Sequence, residues 1–214
     1  MIKNTLAFAF CLLLFAACNN TATEGATTDT PEPEVKVQPA VPAVATPSAE
    51  MKGDNYEVKV VDDKIKSPRK ELSGTLADVP VVINYGSPAV NDRTIFGDLV
   101  PYNKVWRTGA NEATRITFSG DVMVGEDKKV LPAGTYALFT FPTSKEDWSV
   151  IFNKVADQWG AYDYDETQDA ARVKATAMPI DSRAERMDFK LTANEVMLMW
   201  DDLGLSFPVT AAGK

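Results

Sequence analysis

Histidine is absent from all 214 residues. That absence removes the Ser-His-Asp and Cys-His triads, His-ligated zinc and the facial-triad iron centre together, because each needs an imidazole as base or ligand. Cysteine is nearly absent too: Cys11 and Cys18 both lie within the first 18 residues. Beyond them there is no material for a disulfide, a thiol nucleophile or a thiolate metal cluster. No cluster of Lys or Arg interrupts a chain of formal charge −8. Such a chain is a poor candidate for electrostatic binding of nucleic acid or of anionic headgroups, and no nucleic-acid partner is expected. Chemistry, if there is any, falls to Asp, Glu, Lys, Arg, Ser and Tyr.

What is present begins with an export signal. Residues 1–17 carry one cation, Lys3, and an apolar run from Leu6 to Phe15, too short for the ~20 residues that span a bilayer. Ala16 and Ala17 stand directly before Cys18, so the segment resembles a bacterial lipoprotein signal. The cysteine would be lipidated and become the mature N-terminus, and attachment to the membrane would run through it. Phe15 replaces the usual Leu of that motif but keeps its apolar character. Asn19, in place of Asp, implies the outer membrane by resemblance to lipoprotein sorting. Loss of Lys3 with the signal takes the formal charge to −9. Residues 18–50 hold no aromatic residue and are punctuated by Pro31, Pro33, Pro39, Pro42 and Pro47. Such a stretch buries too little apolar surface to offset its ordering entropy and reads as a tether, roughly 30 Å long if coil-like.

Residues 51–214 form one domain, long enough for a single core. Its periodicity is two almost throughout. Runs such as Tyr56–Val60, Val81–Tyr85, Thr114–Phe118, Tyr136–Phe141 and Trp148–Phe152 are short and rich in β-branched and aromatic residues. Further runs are Ala171–Ala175, Arg186–Leu191, Glu195–Trp200 and Leu205–Val209, with turn signals between, among them Asp201-Asp202-Leu203-Gly204. About nine strands predict an all-β fold, an antiparallel β-sandwich or jelly roll. Ile95–Val100 and Asp165–Asp169 could each make a short helical turn.

Five blocks then form an ordered set: Ile95–Tyr102, Val105–Thr114, Leu131–Tyr136, Trp148–Lys154 and Gln158–Tyr162. Together they resemble the domain of unknown function 2911 family, over most of residues 65–190. The resemblance implies a Bacteroidetes-type source, an envelope location and a β-sandwich. It brings no catalytic residues.

Two stretches are candidate sites. In Arg107-Thr108-Gly109-Ala110-Asn111-Glu112, a positive φ at Gly109 would fold the loop back and bring Arg107 to Glu112. The favoured reading is an ion pair that locks the loop. The competing one is a polar site in which Arg107 holds an anionic or hydroxylated ligand oriented by Asn111 and Glu112. In Trp159-Gly160-Ala161-Tyr162-Asp163-Tyr164-Asp165, an extended chain would place Tyr162 and Tyr164 on one face and Asp163 and Asp165 on the other. Rings beside carboxylates suit sugar recognition; against this stands a plain edge plug with solvated acids. No EF-hand pattern supports calcium at those acids, and no metal or cofactor is assigned.

The expected function is recognition of a glycan or an envelope protein partner. A glycosidase with Glu112, Asp163 or Asp165 as its carboxylate pair is one alternative, and a structural subunit of an outer-membrane complex is another. Ser67-Pro68-Arg69-Lys70 matches the S-x-x-K of penicillin-recognising enzymes. Strand-like residues follow it and no S-D-N element does, so it is read as a turn.

Overall fold

The computed structural model describes residues 52–213; the signal, Cys18 and the tether lie outside the described residues. The described chain is all β. Its strands are β1 (Tyr56–Asp62), β2 (Arg69–Leu76), β3 (Val79–Gly86), β4 (Thr114–Phe118), β5 (Val122–Val124), β6 (Lys129–Leu131), β7 (Gly134–Pro142), β8 (Asp147–Asn153), β9 (Asp169–Leu191) and β10 (Glu195–Ala211). They join in one ten-stranded sheet in the order β1-β2-β3-β4-β7-β8-β9-β10-β5-β6, and each named pairing is antiparallel.

The sheet is wrapped around its own core, since all ten strands contribute buried side chains to one cluster. Alternation decides which face each strand offers. In β4, Thr114, Ile116 and Phe118 are buried while Arg115 and Thr117 are partly exposed. Trp148, Phe152, Phe118 and Phe189 are among the largest fully buried side chains, each stabilising by roughly 1.5–3 kcal/mol or more on burial. Residues just after β3 close the wrap: Val90 N–H donates to Glu185 O (2.7 Å) and Met187 N–H to Pro88 O (2.9 Å).

The antiparallel all-β expectation is met, with a different division of the chain. The Ala171–Ala175 and Arg186–Leu191 runs belong to one 23-residue strand, and Glu195–Trp200 and Leu205–Val209 to one of 17. The Asp201–Gly204 turn signal marks a bend inside β10, where Asp201 takes φ 54° and the register with β9 shifts. The short β5 and β6 carry too few residues to show a period. Ile95–Val100 is a hydrogen-bonded turn closed by Val100 N–H to Ile95 O (2.8 Å), while the second helical turn is present as a 3-10 turn over Glu166–Gln168. Ser67 and Pro68 lead directly into β2, confirming a strand where S-x-x-K chemistry needs a helix.

Candidate functional site

β7 and β8 are buried on both faces because two loops cover the outside of the sheet. Ala137, Phe139 and Ile151 there form a second small cluster with Ala113, overlaid by Val105, Ala161 and Tyr164. These loops are the two candidate stretches.

The first is built against β7 and β3. Trp106 exchanges backbone hydrogen bonds with Thr140 (2.8 and 2.9 Å), which sets its ring stacked on Trp200, 5.6 Å between centroids. Thr114 then ties the loop back, its N–H donating to Arg107 O (3.1 Å) and its hydroxyl to Thr108 O (2.7 Å). The reversal uses positive φ at Thr108 (55°) and Asn111 (64°), not at Gly109. For a β-branched residue this is strained, at a cost on the order of 1–3 kcal/mol. Gly109 is needed for space instead: a Cβ there would stand 3.0 Å from both Gly86 O and Thr114 Oγ1.

This geometry overturns the expected Arg107–Glu112 pair. Glu112 turns to Arg69, whose Nη1 donates to its Oε2 at 2.9 Å. Arg107 has no ion pair among the described residues, and its Nε is sealed from solvent without an acceptor. Burial lowers the pKa of this guanidinium, with the neighbouring Tyr162 opposing more weakly.

The second stretch lies directly on the first. Ala113 N–H donates to Gln158 O (3.0 Å), Gly160 N–H to Asn111 O (3.1 Å), and Trp159 bridges Glu112 through the backbone. Asn153, fully buried at the end of β8, anchors this loop from below. Its amide donates to Asp165 O (2.9 Å) and Asp169 Oδ1 (3.0 Å) and accepts from Val155 N–H and Gln158 Nε2 (both 3.1 Å). The expected extended alternation fails because Gly160, at φ 69°, starts a turn. Tyr162 is 84% exposed. Tyr164 instead packs edge-on against Phe139 and donates to Asp169 Oδ2 (2.7 Å). Asp165 caps the 3-10 turn through Thr167, whose hydrogen bonds lower its pKa, and Asp163 faces solvent.

Two clefts flank the paired loops. One, of about 460 Å³, is walled by Trp159 and lined by Arg69, Glu112, Arg115 and Asp157. The other, of about 260 Å³, holds Arg107 and Asn111 beside Lys66, Arg93, Trp106 and Trp200. The seven predicted binding residues are thus divided: Glu112 and Trp159 in the first, Arg107 and Asn111 in the second. Tyr162 lies beside Arg107, while Asp163 and Asp165 line neither cleft.

Residues 67–209 match the model of a family described as protein of unknown function (DUF2911). The chain belongs to the DUF2911 family. No curated protein and no solved structure matches it. In this DUF2911 chain, three of the five blocks that carry the resemblance meet at the smaller cleft or beside it: Leu99 from the first, Trp106 to Asn111 from the second, and Gln158 to Tyr162 from the fifth.

The glycosidase reading finds no geometric support. The larger cleft joins Glu112 with Asp62 and Asp157, but all three carboxylates are exposed, and two are held by Arg69 and Arg115. No Asp or Glu is fully buried among the described residues. No group of three or more acids among them is placed to hold a metal.

Sequence reasoning missed Arg69, Lys66, Arg93 and Trp200. Arg69 reaches Glu112 across 43 positions of sequence, a separation that only strand pairing bridges. Trp200 ends a run already read as core strand, and its one usable signal was the polar edge of a large buried ring.

Proposed function

We propose that this protein is an envelope lipoprotein, anchored through Cys18 and held off the membrane by its Pro-rich tether, whose β domain binds a glycan at the larger cleft. The observation that carries the binding reading is Trp159, 61% exposed with Tyr162 three residues on at 84%, on a loop whose backbone is pinned at both ends. Rings left in water do nothing for the core, whereas flat faces stack on the C–H surfaces of sugars. Beside Trp159 the Arg69–Glu112 and Arg115–Asp157 pairs supply donors and acceptors together, which suits hydroxyl groups that need both. Ile65 and two alanines aside, the rest of the lining beside Trp159 is polar or charged, which favours a glycan over a protein partner that would want a contiguous apolar patch.

The variant Trp159→Ala should lose at least tenfold in affinity on a glycan array, a change of about 1.4 kcal/mol. Its melting temperature should stay within a few degrees of wild type. A large drop would mean that the ring belongs to the core, and an unchanged array profile would remove the site. The anchor has a separate check: Cys18→Ser should abolish metabolic labelling with palmitate and release the protein from the membrane fraction. Retention with undiminished labelling would contradict it.

A further inference from the structure

The smaller cleft carries a different chemistry. It is lined by three cations, Lys66, Arg93 and Arg107, and by no Asp or Glu, in a chain whose isoelectric point is about 4.7. Two of its lining residues carry donors that are sealed from solvent and have no acceptor: Arg107 Nε and Trp200 Nε1, the latter on a side chain only 1% exposed. Buried N–H groups are almost always satisfied, so two orphans at one cleft need an explanation. Arg93 is already fixed, its guanidinium donating to Val90 O and Ala89 O. It contributes charge, while Arg107 has its fork unengaged. The strained, over-tied loop from Trp106 to Thr114 fixes the backbone that carries Arg107.

We infer that this cleft is a receptor for the carboxylate of a small organic acid, with Arg107 as the principal cation and the exposed side chain of Leu99 as the apolar wall for the acid's carbon body. The planar guanidinium fork matches a planar carboxylate. Inorganic phosphate has no carbon body to lay against Leu99. At about 260 Å³ the cleft lies just below the usual ~300 Å³ lower bound of small-molecule sites, which suits one ring or a short chain. The acid could be free or could be the acidic sugar of a larger saccharide; the chemistry recognised is the same.

The test is titration of the full-length protein, followed by tryptophan fluorescence and calorimetry, with D-glucuronate, benzoate, D-glucose and inorganic phosphate as probes. At least one carboxylate should bind while glucose does not. Arg107→Gln should weaken that binding about tenfold or more, the loss expected of a charge-assisted hydrogen bond. Lys66 is exposed on the entry turn, so Lys66→Gln folds regardless and should lower affinity a few-fold. Tighter binding of glucuronate assigns the source to acidic sugars, and tighter binding of benzoate to free acids. Trp159→Ala should leave carboxylate affinity unchanged, which separates this site from the glycan cleft. Failure of both carboxylates to bind at millimolar concentration, preference for phosphate, unaltered affinity in Lys66→Gln, or loss in Trp159→Ala would each overturn the assignment.

Discussion

Replacing Lys70 by methionine should cost about 3–5 kcal/mol of folding stability, the penalty of leaving one partner of a buried ion pair uncompensated. Lys70 Nζ donates to Asp188 Oδ1 at 2.6 Å, with the two side chains only 5% and 14% exposed. The hydroxyl of buried Tyr85 donates to the same oxygen at 3.0 Å. Burial raises the Asp188 pKa, against the pull of Lys70 and Tyr85. The native state thus holds a proton on Asp188 more tightly than the unfolded chain does. This residue's contribution to stability is full below its unfolded pKa of ~3.9 and declines as pH rises through the folded value. Without Lys70 the folded pKa rises further, so the loss in Lys70→Met should be largest near neutrality and shrink below about pH 4, where a neutral Asp188 needs no cation. Urea unfolding at several pH values checks this. Lys70→Met/Asp188→Leu should regain most of the loss. A single variant as stable as wild type at neutral pH would show that the pair is not structural.

Gly86→Ala should be nearly as severe and should also disable the Arg107 cleft. A Cβ at Gly86 would fall inside contact distance of Ala110 O, with Ala110 C at 3.0 Å and Ala110 Cα at 3.3 Å. The obstruction is backbone, so relief requires moving the whole 107–111 loop away from β3. A loss of about 3 kcal/mol is expected, at the upper end for overpacking, together with weakened carboxylate binding. Gly120→Ala is the control, because its Cβ would make only ordinary contact with Val79 at 3.6 Å. Equal midpoints for the two variants in urea would show that close approach of the loop is not required.

The period-two runs made the β class legible because strands with one buried face write alternation into the sequence. The same signal could not reveal that Arg186–Leu191 continues the strand begun at Asp169, since the intervening residues are mostly exposed and lose the pattern. The expected count of nine strands lies close to the observed ten because two mergers are outweighed by three further strands, the eight-residue β2 and the short β5 and β6, the last two too brief to show a period. At the site, local spacing pointed to the right loops and the wrong partners. Arg107 and Glu112 are five residues apart, yet the turn at Asn111 gives Glu112 to Arg69 on another strand. Likewise Tyr162 and Tyr164 part company at the Gly160 turn, and only the first remains in solvent. That the two candidate stretches pair with each other, Asn111 to Gly160, depends on β4, β7 and β8 lying side by side. No local pattern encodes that.

The four tryptophans allow the binding account to be read in one experiment, the indole N–H region of a ¹⁵N-correlated NMR spectrum. Trp148 donates to Lys145 O at 2.9 Å inside the core and serves as the internal reference. Trp159 stands exposed at the larger cleft and Trp200 has its N–H unpaired at the smaller one. Saturation with the oligosaccharide that binds most strongly on the array should move the Trp159 resonance and leave Trp148 in place. Addition of the tighter-binding carboxylate should move Trp200 instead. A saccharide that saturates the protein while the Trp159 indole stays where it was would contradict the account at its centre.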